Sequence, residues 1–145
     1  MQLHRCSATF AALLLAAALA SCSRSDPQAS LVAAVQKLQD NLEAKNTSAV
    51  LDQLDTAFRA QRELDRGWAK QTMTLMFLRH QNVRIVAVAR NSRIAAEAPQ
   101  VGYTEAQVLI TGAQGLIPDQ AAPYRIKLQW SLVGREWKLV KLDWE

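Results

Sequence analysis

The chain is poor in the side chains that metal binding and thiol chemistry require. Its 145 residues include only two cysteines and two histidines. Cys6, Cys22 and His4 all lie at the start of the sequence, so His80 is the one such residue that follows them. A zinc site needs three or four ligands, most often histidine or cysteine. We therefore expect no metal site, no disulfide and no cofactor in the domain, and a catalytic imidazole could only be His80.

The N-terminus has the three-part organisation of a secretory signal peptide. A weakly basic start precedes an uncharged run over residues 10–20, rich in alanine and leucine and too short to span a bilayer. The run ends in Leu-Ala-Ser-Cys at residues 19–22. This ending resembles the bacterial lipobox, in which an aliphatic residue and two small residues precede a cysteine that receives a diacylglyceryl group. The resemblance implies cleavage before Cys22 and lipidation of that cysteine.

Processing of this kind divides the chain into three parts. Residues 1–21 form the signal peptide, residues 22–27 the lipidated tether and residues 28–145 a single domain. Each acyl methylene contributes about 0.8 kcal/mol when buried, so two or more chains hold a protein on a bilayer. Ser23 stands where many inner-membrane lipoproteins have a retention aspartate. Lipoprotein sorting therefore implies the outer membrane, with the domain facing the periplasm of the cell envelope.

The chain also has no large excess of positive or negative charge. Seventeen basic and 13 acidic residues give a formal net charge of +4, and no nucleic-acid-binding motif is present. Nucleic acid is therefore not an expected partner. A local basic group comprises Arg59, Arg62, Arg66 and Lys70. The group is typical of a solvated helix face with local ion pairs, and the alternative is contact with anionic lipid headgroups or another acidic surface of the envelope.

The first half of the domain has the apolar spacing of helices. Asp26 and Pro27 are suited to cap and begin a first helix, which carries apolar residues over 31–42. A short second helix is predicted over residues 49–54, with Phe58 in the connection after it. A long third helix is predicted over residues 63–80, with an apolar face formed by Leu64, Trp68, Leu75 and Leu78 and widened by Met73, Met76 and Phe77.

From residue 82 onward the apolar period changes to two. Strands are predicted over residues 82–96, with an irregularity at 91–92, and over 103–111, 124–132 and 136–145. The adjacent pair Leu139-Val140, where the alternation slips, predicts a β-bulge. Helices followed by an antiparallel meander predict an α+β fold: N-terminal helices packed in a strongly curved sheet of four to six antiparallel strands.

The domain resembles the nuclear transport factor 2-like superfamily, whose cone-shaped α+β fold is also described as cystatin-like. The matching features are the apolar repeat over residues 31–42, the segment VLDQLDTAF at 50–58, the long third helix and the ending GREWKLVKLDW at 134–144. The match covers nearly all of residues 28–145. Because these motifs specify packing, the resemblance implies a fold and leaves the chemistry open.

Enzymes of this superfamily, such as ketosteroid isomerase and scytalone dehydratase, place acids, tyrosines or histidines inside the cone. This chain has aliphatic residues where an isomerase offers a tyrosine, and no acid follows Phe58 where a general base is expected. We therefore expect no catalytic residue. If the protein is an enzyme, Glu105, Tyr103 and His80 are the candidates. The alternative roles are a strand's outward face for Glu105 and a helix C-terminus for His80.

Four large side chains are candidates for binding a ligand inside the cone. Trp68, Met76, Tyr103 and Trp130 would line an open interior, and they are otherwise core residues. The expected function is a membrane-anchored, non-enzymatic binding or accessory module, with a small apolar molecule as its ligand. The alternatives are a cryptic hydrolase or isomerase, and a structural subunit that docks through its sheet as a homodimer or on an envelope complex.

Overall fold

The computed structural model describes residues 26–112, 115–116 and 123–145. The predicted signal peptide, the predicted lipidation site Cys22 and most of the predicted tether lie outside the described residues. In chain order the elements are α1 (Pro27–Glu43), α2 (Thr47–Gln53), β1 (Leu54–Ala60), α3 (Arg66–Arg79), β2 (Val83–Ala95), β3 (Ala98–Gly112), β4 (Gly115–Leu116), β5 (Tyr124–Val133) and β6 (Glu136–Trp144).

Five long strands form one curved, open sheet, and α1 covers its concave face. The strand order is β1-β6-β5-β3-β2, and the short β4 pairs with the end of β3. All long neighbours pair antiparallel except β1 and β6, which pair in parallel. The predicted α+β fold with a curved sheet is confirmed, but the sheet is not wholly antiparallel.

Strand β1 corrects the sequence analysis at Phe58. This residue was predicted to lie in a connection, yet it is 1% exposed within β1 and alternates with the exposed Arg59. The strand joins the sheet through parallel pairing of Arg59 with Lys141 and Ala60 with Leu142. The local sequence did not reveal this strand because its only partner in the sheet lies some eighty residues further along the chain.

Polar side chains define where the helices begin. Asp26 accepts a hydrogen bond from the Gln28 N–H at 3.0 Å, and Pro27 follows it in the first turn, as predicted. Asn46 caps α2 in the same way. Asp65 caps α3 by accepting from the Trp68 N–H at 3.0 Å. The third helix therefore begins at Arg66, later than the predicted residue 63.

The buried face of helix α3 differs from the predicted one. Its buried residues are Ala69 and Met73, whereas Leu75 is 54% exposed and Leu78 is 79% exposed. The helix packs mainly against α2 and β1. The contact is therefore made through the side of the helix that carries Ala69 and Met73. Leu75 and Leu78 were predicted to share a buried face, and that prediction is wrong.

The predicted bulge in the last strand is confirmed. Gln129 pairs with Lys141 while the next residue, Trp130, pairs with Leu139, so Val140 is the extra residue. The bulge lets Trp137 and Leu139 before it, and Leu142 and Trp144 after it, all join the core cluster. In β2 the pairing with β3 shifts register between residues 87 and 89 and again between residues 94 and 95, not at 91–92 as predicted.

Candidate functional site

The concave interior of the sheet is the natural place for a site in a cone-shaped fold, and large apolar side chains occupy it. Trp130 is 0% exposed, Leu31 is 0% exposed and Trp137 is 4% exposed. Other buried members of this core are Val35, Leu38, Val50, Leu54, Phe58, Ala60, Ala69, Met73, Leu128 and Leu139. The interior is thus built mainly from hydrocarbon.

Trp130 lies at the centre of this interior. Its strand neighbours are Gly102 on β3 and Leu139 on β6. Its indole Nε1 is buried and has no hydrogen-bond partner in the described part of the chain. A buried donor without an acceptor carries a desolvation cost of about 1–3 kcal/mol, which an added acceptor would offset.

Two further polar side chains in the interior have partners within the protein. Thr104 is 1% exposed, and its hydroxyl lies 2.9 Å from the hydroxyl of Ser92. Gln53 is 5% exposed; its Oε1 accepts from Asn41 Nδ2 at 2.8 Å, and its Nε2 donates to the Ala34 carbonyl at 3.2 Å. Gln53 therefore joins α2 to α1. Sequence reasoning missed these groups because glutamine and threonine are common on surfaces.

The candidate acid and tyrosine lie on the other face of the sheet. Thr104 is buried on the concave side, and successive residues of a strand point to opposite faces, so Tyr103 and Glu105 project from the convex side. Glu105 is exposed, as its alternative role in the sequence analysis anticipated. The Arg93 guanidinium stands 4.9 Å from the centroid of the Tyr103 ring, in cation–π geometry.

His80 stands apart from both of those residues. It caps the C-terminus of α3, where its N–H donates to the Met76 carbonyl at 2.9 Å. Lys45 Nζ approaches the His80 carbonyl at 3.5 Å, which ties the end of α3 to the residues that follow α1. The three candidate catalytic side chains are therefore not brought together: two lie on the convex face, and His80 ends a helix.

The four candidate ligand-binding residues are also dispersed. Trp130 faces the concave interior, and Tyr103 projects from the convex face. Trp68 is partly buried and stacks on Trp144, with ring centroids 5.9 Å apart and an interplanar angle of 11°. Met76 is 36% exposed, and the methionine buried in the core is Met73, one turn earlier. Only Trp68 and Trp130 thus belong to the packed interior.

Two acidic groups of the sheet have lowered pKa values, and both lie on the surface. A hydrogen bond and the positive charge of Lys138 hold the pKa of Glu136 below its usual value. A hydrogen bond and the positive charge of Lys127 likewise lower the pKa of Glu145, whose Oε1 lies 3.0 Å from Lys127 Nζ. At the start of α3, the hydrogen bond from the Trp68 N–H lowers the pKa of the capping Asp65. These shifts arise from local pairing at exposed positions.

An open cleft of about 570 Å³ lies where α1 ends and β2 begins, lined by Glu43, Gln81, Asn82, Val83 and Arg84. Glu43 accepts from the Ile85 N–H at 2.8 Å and pairs with Arg84 at 3.6 Å, so its carboxylate is engaged in the fold. The described ranges contain no group of three or more histidine, cysteine or acidic side chains that could hold a metal ion. Nor do they contain a helix long and apolar enough to cross a membrane.

Solved structures with very different sequences share this fold. A protein of unknown function with a cystatin-like fold from Nostoc punctiforme matches with a TM-score of 0.62 and 11% identity, over 81% of this chain and 88% of that one. A nuclear transport factor 2-like protein of unknown function from Pseudomonas putida matches with a TM-score of 0.65 and 6% identity, over 81% and 84%. Identities this low establish the cone fold alone.

A third similar structure is much longer than this chain. Bd1075 of Bdellovibrio bacteriovorus matches with a TM-score of 0.68 and 8% identity over 79% of this chain, but the match spans only 40% of Bd1075. A scan against protein-family models found no match, and a search of curated proteins found none either. The chain therefore has the nuclear transport factor 2-like fold, a fold that the sequence resemblance had predicted.

Proposed function

We propose that this protein is a lipid-anchored component of the bacterial cell envelope, held on the outer membrane and facing the periplasm. Its cone-shaped domain serves as a non-enzymatic binding or accessory module. The lipobox-like sequence at residues 19–22 supports the anchor. The cap at Asp26, four residues after Cys22, supports a short tether, because the first helix begins almost directly after the lipidated cysteine.

The separation of the acid–base candidates is the observation that carries the non-enzymatic role. General acid–base catalysis requires side chains within hydrogen-bond reach of the same substrate atoms. Tyr103 and Glu105 project from the convex sheet face, whereas His80 caps α3. No single substrate position on the concave side is served by all three. A domain with this arrangement is better suited to holding a molecule than to transforming one.

Trp130 supports a small apolar molecule as the ligand. Its indole N–H is a buried side-chain donor that has no partner among the described residues, and hydrocarbon side chains surround it. Binding pockets combine mostly apolar walls with a few polar groups that fix orientation. A compact apolar molecule with one hydrogen-bond acceptor, such as a ketone, would provide the missing acceptor once the side chains packed around Trp130 move apart to admit it.

This ligand proposal can be tested by titrating the protein with 2-octanone and following tryptophan emission. We expect a saturable change in wild type. Trp130→Phe should bind about 2–10-fold more weakly, because it lacks the N–H donor but keeps an aromatic ring. Emission from the remaining tryptophans reports on binding in that variant. Equal affinity of the two proteins, or no saturable response in wild type, would contradict the proposal.

Metabolic labelling with a palmitate analogue tests the anchor directly. The full chain should incorporate the label, and Cys22→Ser should abolish it, because the acylated thiol is gone. Cys6→Ser is the matched control: it also removes one thiol, but from within the predicted signal peptide, and it should leave the label unchanged. Equal labelling of the Cys22→Ser and wild-type chains would refute lipidation at this cysteine.

A further inference from the structure

The outward face of α3 carries two large apolar side chains that are exposed to solvent. Leu75 is 54% exposed and Leu78 is 79% exposed. Residues three apart lie side by side on a helix, so the pair forms one apolar surface. An apolar surface that the fold leaves uncovered is a candidate contact for a membrane or a partner.

Helix α3 is positively charged. It contains Arg66, Lys70 and Arg79 and no acidic residue. At 100° per residue, Arg79 lies about 70° to one side of the stripe that the two leucines form, and Lys70 lies about 110° to the other side, towards Phe77. Both cationic side chains belong to exposed residues, and neither takes part in a salt bridge within the described ranges. The face therefore complements a surface that is negatively charged outside and apolar beneath.

We propose that the α3 contact face, defined as Lys70, Leu75, Leu78 and Arg79, binds the surface of a bilayer that contains anionic phospholipids. The two leucines enter the region between the headgroups. The two cations meet lipid phosphates, since long basic side chains can extend to the headgroup level while their stems stay near apolar groups. This inference extends the proposed function, because it identifies a second contact between the domain and the membrane.

The position of α3 determines how an anchored domain would lie on the membrane. Lys45 Nζ approaches the Phe77 and His80 carbonyls at 3.5 Å, so the end of α3 lies beside the end of α1. The 17 residues of α1 span about 25 Å. The part of the tether that precedes α1, residues 22–26, can reach at most about 17 Å. Contact at both places therefore excludes an α1 that stands upright on the bilayer, because its far end would be beyond the reach of the tether.

Vesicle co-sedimentation of residues 23–145 tests the α3 contact face without any acyl chain. This fragment contains every described helix and strand and the whole core cluster. We expect it to bind phosphatidylcholine vesicles that contain about 30% phosphatidylglycerol at least about ten-fold more strongly than vesicles of phosphatidylcholine alone. The double variant Lys70→Gln/Arg79→Gln should lose most of that difference, because each removed charge should weaken vesicle binding by about five-fold.

Leu78→Glu tests the apolar part, and Val133→Glu is its matched control. Val133 is 52% exposed, and its substitution makes the same change in charge on strand β5, away from α3. We expect Leu78→Glu to weaken binding by at least about ten-fold and Val133→Glu by less than about three-fold. Circular dichroism of each variant verifies that it is folded. Leu78→Ala serves as a second variant that introduces no charge and should weaken binding in the same direction.

Three outcomes would overturn the proposal. The first is that the wild-type fragment does not bind phosphatidylglycerol vesicles. The second is that Leu78→Glu and Val133→Glu weaken binding equally. The third is a wild-type dimer that Leu78→Glu converts to a monomer, with no effect on vesicles, which would make the face an interface between two copies. Acylation of Cys22 is measured separately by labelling, so a failure of either proposal is distinguishable from a failure of the other.

Discussion

The backbone of Gly102 lies directly against the side chain of Leu31. A Cβ atom placed on Gly102 would stand 2.7 Å from Leu31 Cδ2 and 3.0 Å from Leu31 Cδ1. Both residues are buried, and Leu31 is 0% exposed. This contact brings the first turns of α1 onto β3 next to Trp130, so it determines how closely the helix lies over the centre of the sheet.

Gly102→Ala should therefore destabilise the domain, because the added methyl group must displace Leu31 in a packed core. We expect a loss of about 1–3 kcal/mol in the free energy of unfolding, measured by urea denaturation. In a Leu31→Ala background the same substitution should cost much less, since the opposing side chain is absent. Equal costs in the two backgrounds would show that Leu31 does not limit the space at Gly102.

Trp130→Ala should remove the central side chain of the core. We expect a loss of about 3–5 kcal/mol in the free energy of unfolding, the range typical of deleting a buried aromatic group. Val133→Ala, on the same strand but 52% exposed, should change it by less than about 0.5 kcal/mol. A loss below about 1 kcal/mol for Trp130→Ala would be incompatible with its complete burial.

The cap at Asp65 should make stability depend on pH in the acid range. The hydrogen bond from the Trp68 N–H lowers the pKa of Asp65 in the folded chain below its ordinary value of 3.8. The ionised form is thus favoured by folding. Its stabilising contribution is complete above pH 3.8 and is lost as the pH falls through the lowered pKa of the folded state.

Comparison of urea midpoints at about pH 6 and about pH 3 measures this effect. Asp65→Asn keeps a capping oxygen but does not titrate, so its midpoint should fall less between the two pH values than the wild-type midpoint. Glu63→Gln, at an exposed position just before the cap, is the control and should retain the wild-type dependence. Identical pH dependence in Asp65→Asn and wild type would exclude Asp65 as a source of the effect.

A non-enzymatic role predicts that the candidate catalytic side chains are dispensable. In a strain that lacks this protein, any phenotype should be rescued fully by His80→Ala, by Tyr103→Phe and by Glu105→Gln. Immunoblotting would verify that each variant is as abundant as wild type. Failure of a folded, abundant variant to rescue would favour the alternative of a hydrolase or isomerase that depends on that side chain.

Several features of the fold could be predicted from the sequence because neighbouring residues determine them. Asp26 and Pro27 begin α1, since a capping oxygen and a fixed φ act within one turn. The alternation around Leu128 and Trp130 in β5 was correctly read as a strand with one buried face. The break in apolar alternation at Leu139-Val140 correctly predicted the bulge of β6, because an extra residue shifts the apolar alternation within the strand itself.

Which of two possible faces of a helix or strand is buried depends on tertiary packing. Helix α3 has apolar residues on both sides, and contacts with α2 and β1 bury Ala69 and Met73 while leaving Leu78 exposed. Tyr103 and Thr104 are adjacent in β3 and so lie on opposite faces of the sheet, but only the packing of α1 shows that the Thr104 side is the buried one. Local periodicity determines how residues alternate, whereas burial depends on partners that are distant in the sequence and therefore requires the folded chain.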